Sequence, residues 1–181
     1  MKAYPEFKTE RLTLREIVEA DTNFLFSNLS NSRVLQYFGM SPLNSKKEAN
    51  KLIESFSNGL KNGGPMRWAI VNKEQDEIIG TCGFHNISKG HHRCEIGYDL
   101  SPTYWGKGIM TEALVPLISY LFKERDMTRI GAVIVQHNAA SAKVVEKLGF
   151  KQEGLLRKYI TQEDNVYDAH MYSLLREEWD K

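Results

Sequence analysis

Hydrophobic and polar residues follow two regular patterns in the middle of the chain, which together predict a strand, a turn and a helix. Between Arg93 and Leu100 every second side chain is apolar, at Cys94, Ile96, Tyr98 and Leu100. This period of two is typical of a β-strand. After the segment 105–108 (WGKG), apolar residues return at helical spacing, at Met110, Ala113, Leu114, Leu117, Ile118, Leu121 and Phe122. They form one face of a helix.

The patterns on either side predict further helices and strands. Before the central strand they favour a strand near 11–16, helices over 21–29, 32–37 and 45–62, and strands over 67–72 and 77–87. Ser45 and Glu48 have the spacing of a capping box. After the central helix come a buried strand at 129–136, a helix that Asn138 caps and Gly149 follows, and closing strands near 151–160 and 166–175.

This order of elements predicts an α/β (α+β) fold, with a mixed, mostly antiparallel central sheet of about seven strands flanked by helices. The strands at 93–100 and 129–136 are joined by a helical crossover, so we expect them to be parallel neighbours. Where this pair splays apart in the middle of the sheet, a groove opens towards the start of the central helix. Such a groove is a natural place for a ligand.

Length, composition and charge narrow the class of protein. The chain has 181 residues, 41% of them hydrophobic, and we expect a single domain over residues 1–181. A formal charge of +1 gives no reason to expect a nucleic-acid partner. The sequence has no run of 18 apolar residues and its start lacks the apolar segment of a signal peptide, so neither a membrane span nor secretion is predicted. Its two cysteines, Cys82 and Cys94, fit a reducing compartment, and a cytoplasmic protein is expected.

The glycines of the turn, Gly106 and Gly108, give the central helix a start that suits an anion. The first N–H groups of a helix have no partner within it and the helix dipole is positive there. A phosphate group fits such an end. The alternative from the residues alone is an ordinary turn into a core helix.

Four separated motifs resemble one protein family. The chain contains WGKG followed by a TEAL-type helix, then HNAASAKVVEKLGF, and it has TERLTLRE near its start and DAHMYSLLREEW near its end. This combination resembles the GCN5-related N-acetyltransferases, and within them the RimJ/RimL-type acetyltransferases of ribosomal-protein N-termini. The resemblance covers essentially the whole chain.

The resemblance implies acetyl-CoA as co-substrate and assigns residues to it. Its pyrophosphate would contact Trp105, Gly106, Lys107, Gly108, Ile109, Met110 and Thr111. Its pantetheine arm would run along the backbone of Tyr98, Asp99 and Leu100 and accept a hydrogen bond from Asn138. Thr103 occupies a position where relatives often have Gln or Arg, and Lys107 is the expected substitute for that phosphate contact. Pro116 is expected to kink the central helix.

Two residues are the candidates for acid–base chemistry. Glu95 is the candidate base, acting on the amine directly or through a water, with an ordinary strand-to-strand ion pair as the alternative. Many relatives have a tyrosine acid at the position of Val145, and Ser141 is its expected substitute for protonating the leaving thiolate. The alternative for Ser141 is a local bond to the backbone of the capping asparagine. A main-chain N–H near Tyr98 would hold the oxyanion.

The acceptor side is less defined by the sequence. His85 is a candidate lining residue, and position alone adds Tyr37, Phe38, Trp68, Phe84, Arg157 and Tyr159, although a place in the core is the first expectation for each aromatic. No metal site is expected, because the alternation of side chains separates His91, His92 and Cys94.

The expected function is acetyl transfer from acetyl-CoA to a primary amine, with the N-terminal α-amino group of a ribosomal protein as the first choice. Acetylation of a small-molecule amine and a non-catalytic acyl-CoA-binding module are the alternatives. The resemblance also implies a homodimer.

Overall fold

One mixed sheet of eight strands organises the molecule. The computed structural model describes residues 4–62 and 64–180. The strands are β1 (Phe7–Lys8), β2 (Leu12–Glu16), β3 (Met66–Asn72), β4 (Glu77–Ser88), β5 (Arg93–Leu100), β6 (Arg129–Val135), β7 (Lys151–Gln162) and β8 (Asn165–Leu175). They lie side by side in the order β1-β2-β3-β4-β5-β6-β8-β7. The helices are α1 (Thr22–Asn28), α2 (Ser32–Leu35), α3 (Lys46–Asn62), α4 (Ile109–Lys123) and α5 (Ala139–Lys147).

The two faces of the sheet bury separate apolar clusters. The apolar side of β5 packs against α4, whose predicted stripe is buried along its whole length, from Met110 to Phe122. Trp68 and Phe84 belong to this cluster and are almost completely buried. The opposite face of the sheet packs against α1 and α3 through a smaller cluster around Leu25, Ala49 and Ile53. The sheet is therefore enclosed by helices on both sides, as expected for a fold of this class.

The parallel pair at the centre of the sheet is short. Strands β5 and β6 pair in parallel only over Arg93–Glu95 and Arg129–Gly131, and every other strand pairing is antiparallel. Beyond Glu95, β5 continues for five residues without a partner on that side. The predicted splay is confirmed, and it opens a gap through the middle of the sheet.

The structure also differs from the predicted elements in detail. It has eight strands rather than about seven, because the two-residue β1 pairs with β2 and is too short to show an alternating pattern. Half of the predicted capping box is present, because the Glu48 backbone N–H donates to the Ser45 hydroxyl at 3.4 Å. The Glu48 carboxylate accepts instead from the backbone of Asn44, one residue before Ser45. Helix α4 continues through Pro116, so the lost hydrogen bond does not end it. Helix α5 ends at Lys147, and Gly149, just after the capping residue Leu148, has φ +94°, as predicted. None of the helices in the described ranges is long and apolar enough to span a membrane.

Candidate active site

Two connected cavities meet where β5 and β6 diverge. The first, the outer groove, has a volume of about 630 Å3 and lies between α2, the turn before α4 and the start of α5. The second, the slot pocket, has a volume of about 570 Å3 and passes between the diverging strands. The residues common to both cavities are Tyr37, Phe38, Tyr98, Asn138 and Ser141. A ligand in the outer groove can therefore extend one end into the slot pocket.

The turn at the start of α4 presents unpaired donors to the outer groove. Gly106 and Gly108 both have φ +74°, a conformation that L-residues rarely adopt. The first backbone bond of the helix runs from Glu112 to the Gly108 carbonyl. Within the described chain, the N–H groups of residues 106–111 donate to no protein acceptor. The arrangement suits the phosphate groups of a ligand, as the glycine turn predicts.

The start of the chain holds this turn in place. The Glu112 carboxylate accepts hydrogen bonds from the Thr9 hydroxyl at 2.5 Å, the Arg11 backbone N–H at 2.9 Å and Arg11 Nε at 2.7 Å. Arg11 Nη1 also donates to the Lys107 carbonyl, at 3.0 Å. Burial raises the pKa of Glu112, but the hydrogen bonds from Thr9 and Arg11 outweigh it and the pKa lies below its usual value. The carboxylate therefore stays ionised as the anchor of the turn.

Positive charge at the outer groove comes from residues that the sequence did not single out. Arg33 of α2 and Lys143 and Lys147 of α5 line the groove. The Arg33 guanidinium lies 5.3 Å from the centre of the Trp105 ring. Lys107, the expected phosphate contact, is not among the lining residues, and its ammonium group lies over the Tyr104 ring instead. Lys143 and Lys147 are four residues apart in the helix that Asn138 caps, so the sequence could have placed both on one face of that helix, near the groove.

Most of the other residues assigned to acetyl-CoA lie along the outer groove. Tyr98, Asp99, Leu100, Trp105, Gly106, Gly108, Ile109, Met110, Thr111 and Asn138 all line the outer groove. The Asp99 carboxylate, however, is buried and accepts hydrogen bonds from Asn28 Nδ2 and Arg67 Nη2, both at 2.6 Å, and from the Thr81 hydroxyl. Only the main chain of Asp99 is therefore available to a ligand.

Glu95 faces the slot pocket, on the side of the sheet opposite to Cys94 and Ile96. It is 8% exposed, and its Oε2 accepts a hydrogen bond from Asn86 Nδ2 at 3.0 Å. His85 Nε2 lies 3.8 Å from the same oxygen. Burial lowers the pKa of His85 in spite of the neighbouring carboxylate, so the ring is neutral at pH 7. Within the described chain, no lysine or arginine nitrogen lies within 4.0 Å of the Glu95 carboxylate, which argues against the ion-pair alternative.

Ser141 and Tyr98 join their hydroxyl groups at the junction of the two cavities. Asn138 caps α5 by accepting a hydrogen bond from the Ser141 backbone N–H at 3.1 Å. The Ser141 hydroxyl lies 2.8 Å from that of Tyr98. Its partner is therefore the phenol and not the backbone of Asn138, which was the alternative expected from the sequence. Burial raises the pKa of Tyr98 to about 12, which keeps the phenol protonated. Val145 is completely buried in the core. The Tyr98 hydroxyl is a functional candidate that the sequence analysis missed, because Tyr98 was assigned only through its backbone.

The aromatic and cationic candidates on the acceptor side divide into two groups. Tyr37, Phe38, His85 and Tyr159 line the slot pocket. Trp68 and Phe84 lie in the core, and Arg157 is exposed and does not line the pocket. The arginine that does line it is Arg67, which the sequence gave no reason to choose. In the described part of the chain, no group of three His, Cys, Asp or Glu residues is placed to hold a metal ion.

Comparisons with known proteins agree with this geometry. The family model for the acetyltransferase (GNAT) domain matches residues 11–151. The uncharacterized N-acetyltransferase YoaA of Bacillus subtilis is 36% identical, over 96% of this chain and 98% of its own length. The uncharacterized N-acetyltransferase p20 of Bacillus licheniformis is 39% identical, over 94% of this chain and 96% of its own. The crystal structure of the ribosomal-protein-S5-alanine acetyltransferase of Vibrio fischeri is 27% identical, with a TM-score of 0.84 over 98% of this chain and 100% of that one.

The names of these relatives describe enzymes, so the alternative of a non-catalytic acyl-CoA-binding module gains no support from them. The matched domain also covers the turn before α4 and the whole of α5, which build the outer groove. The chain belongs to the GNAT acetyltransferase family, in its RimJ/RimL-type branch, and is an acetyltransferase that uses acetyl-CoA.

Proposed function

We propose that this enzyme acetylates the α-amino group at the N-terminus of a protein, and that a ribosomal protein is the first acceptor to test. The observation that supports this choice is the charge of the slot pocket. Glu95 is the single acidic residue among the described residues that line it. One buried carboxylate matches an acceptor with one amine, whereas a polyamine would bring additional positive charges without partners. The ribosomal-protein acetyltransferase of Vibrio fischeri, which has the same fold, adds weight to a protein N-terminus.

The outer groove fits the nucleotide part of acetyl-CoA. The free N–H groups of the turn at 106–111 bind the pyrophosphate, and the cationic side chains of Arg33, Lys143 and Lys147 attract the remaining phosphate charge. The backbone of β5 beyond Glu95 has no strand partner on the β6 side, so it offers its polar groups to the pantetheine arm. Asn138 uses Oδ1 for its cap and retains Nδ2 as a donor for the same arm.

The chemistry that acetyl-CoA supplies is an acetyl group on a thioester. Glu95 accepts a proton from the acceptor ammonium, which leaves a neutral amine. The amine nitrogen forms a bond to the carbonyl carbon, and the bond from that carbon to sulfur breaks. A backbone N–H near Tyr98 stabilises the oxygen while it carries negative charge. Glu95 releases that first proton to solvent and takes the second proton from the attacking nitrogen as the amide forms.

The departing sulfur needs a proton, and the hydroxyl pair at the cavity junction is placed to give it. Ser141 donates its proton to the thiolate and takes one from the Tyr98 hydroxyl, 2.8 Å away. The Tyr98 phenolate then takes a proton from solvent, which restores both hydroxyl groups. In this proposal a phenol on β5 provides the proton that many relatives obtain from a tyrosine on the helix. Helix α5 has no such group at that position, because residue 145 is a valine and is buried in the core.

A peptide assay tests the proposed acceptor. A peptide with an N-terminal alanine and one internal lysine is incubated with the enzyme and acetyl-CoA, and the acetylated position is found by tandem mass spectrometry. The control is the same peptide with a formylated N-terminus, together with free spermidine. We expect acetylation of the α-amino group and none of the lysine or spermidine. Preferential acetylation of the lysine or of spermidine would contradict the proposal.

A further inference from the structure

We propose that Arg67 is a specificity-determining residue, which binds an oxygen atom located next to the acceptor amine. The inference rests on the proposed function, since it concerns what the slot pocket selects among amines. The favoured acceptors are then amines whose neighbouring carbon bears a carbonyl oxygen, as in a peptide N-terminus or an amino-acid amide. Amines with only methylene groups there, as in a lysine side chain, are disfavoured.

A row of glycines lets the Arg67 side chain reach the pocket. Arg67 pairs with Gly83 on β4, and Gly83 pairs with Gly97 on β5, so the three residues form one row across the sheet. Side chains of paired residues lie on the same face. A Cβ atom at Gly83 would lie 2.8 Å from the Arg67 Cα, so only glycine fits there. A Cβ atom at Gly97 would lie 3.7 Å from Arg67 Nη1 and 3.2 Å from the His85 ring. The guanidinium therefore lies over the glycines and beside the pocket.

Two hydrogen bonds fix the guanidinium and leave one edge free. Nε donates to the Thr81 hydroxyl at 2.6 Å, and Nη2 donates to Asp99 Oδ2 at 2.6 Å. The Phe38 ring lies 5.6 Å from the guanidinium carbon. In the described ranges, Nη1 has no acceptor, although the side chain is only 15% exposed. No fully buried side-chain nitrogen or oxygen in the described chain lacks a partner, so the unpaired Nη1 is open to the slot pocket. An acceptor oxygen of the substrate is its natural partner there, because a hydrogen bond from a charged donor is stronger than one between neutral groups.

The spacing between Glu95 and Gly97 limits the size of the recognised unit. They are two residues apart on β5 and face the same side, which is roughly 7 Å along a strand. Because the guanidinium lies beside Gly97, a substrate that contacts both the guanidinium and the Glu95 carboxylate carries its amine and its acceptor oxygen close together. An amine and a carbonyl oxygen on adjacent carbons form such a unit. Asp99 neutralises the charge of Arg67, so Nη1 can bind a neutral carbonyl oxygen and does not require a carboxylate.

The test compares two acceptors of similar shape, L-alaninamide and 2-aminobutane, which differ in the carbonyl group. Values of kcat/KM are expressed per unprotonated amine, because an α-amino group has a pKa of roughly 8 and an alkylamine about two units more. We expect the wild-type enzyme to prefer alaninamide by about tenfold or more. In Arg67→Lys, the single ammonium group remains with Asp99 and cannot also serve the pocket. That variant should lose about tenfold in kcat/KM for alaninamide and less than about twofold for 2-aminobutane.

Asn28→Ala is the matched control. It removes a different hydrogen bond to Asp99 and does not touch the slot pocket, so it should lower the melting temperature and keep the acceptor preference. An equal loss for both acceptors in Arg67→Lys would overturn the inference and leave Arg67 a structural role. If Arg67→Lys does not fold, the wild-type enzyme still tests the inference. Equal kcat/KM values of the wild type for alaninamide and 2-aminobutane would also overturn it. If the wild type shows no preference but still acetylates a peptide α-amine, the inference fails and the proposed function stands. If alaninamide is preferred but no peptide is acetylated, the proposed function fails and the inference about Arg67 stands.

Discussion

The hydroxyl groups of Tyr98 and Ser141 lie 2.8 Å apart at the junction of the two cavities, and their removal tests how the thiolate is protonated. Tyr98→Phe deletes one oxygen from a half-buried ring. Ser141→Ala leaves the Tyr98 hydroxyl a second acceptor, the backbone carbonyl of residue 141 at 3.2 Å. A neutral hydrogen bond contributes about 1 kcal/mol to stability, so both variants should remain folded. If the two groups form one proton route, each single variant should lower kcat by roughly 100-fold, or about 2.7 kcal/mol of activation free energy.

The decisive measurement is a double-mutant cycle on kcat, with acetyl-CoA affinity measured separately for each variant. Residues that act as one unit are non-additive, so the double variant should be no slower than the slower single variant, roughly 100-fold rather than about 10,000-fold. An acetyl thioester with a more acidic thiol should restore much of the lost rate, since its thiolate needs less protonation. A loss below about threefold in Tyr98→Phe, or additive losses in the double variant, would refute the shared route.

Three further predictions concern the base, the neighbouring histidine and the turn. Glu95→Gln should lower kcat/KM by roughly 100-fold with unchanged acetyl-CoA affinity, and a loss under about threefold in steady-state kinetics would exclude the base role. Because burial lowers the pKa of His85 below its ordinary 6.5, the unfolded chain binds the proton more readily. The contribution of His85 to the free energy of unfolding should therefore be largest above pH 6.5 and should decrease as the pH falls below that value. Chemical denaturation of His85→Gln should show a weaker decrease over the same pH range. Acetyl-CoA at about 100 times its Kd should raise the melting temperature by roughly 5–10 °C. Gly106→Ala should lower the free energy of unfolding by about 1 kcal/mol, because the positive φ strains alanine even though no protein atom lies within 4 Å of the added Cβ. The variant should also reduce the shift in melting temperature caused by acetyl-CoA. An unchanged shift would show that the turn does not approach the ligand.

The parts of the site that follow from local pattern could be read from the sequence. The alternation at 93–100, the glycine turn and the stripe on α4 are each set by neighbouring residues, and the structure has all three. The side of the sheet that Glu95 faces also follows from alternation alone. The cap of α5 by Asn138 is likewise local, since it joins residues three positions apart.

The parts that the sequence did not predict depend on register between distant strands. Arg67 enters the slot pocket because Gly83 and Gly97 fall opposite each other, which two separate strand pairings decide. Position alone suggested Arg157, which is exposed on β7. The Tyr98 hydroxyl meets Ser141 only after β5 and α5 pack together, 43 residues apart in the chain. The strand pattern showed which way Tyr98 points but could not show what it would contact.

The anchoring of the ligand turn by the start of the chain has a consequence for folding. Thr9 and Arg11 bond to Glu112 across 103 and 101 positions of sequence, and Arg11 reaches the Lys107 carbonyl across 96. Contacts with such long separations close large loops and form slowly. The turn is therefore held in its binding conformation only after the chain's beginning has met its middle. Recovery of acetyl-CoA binding during refolding should consequently report completion of the whole fold, later than the formation of helix α4 itself.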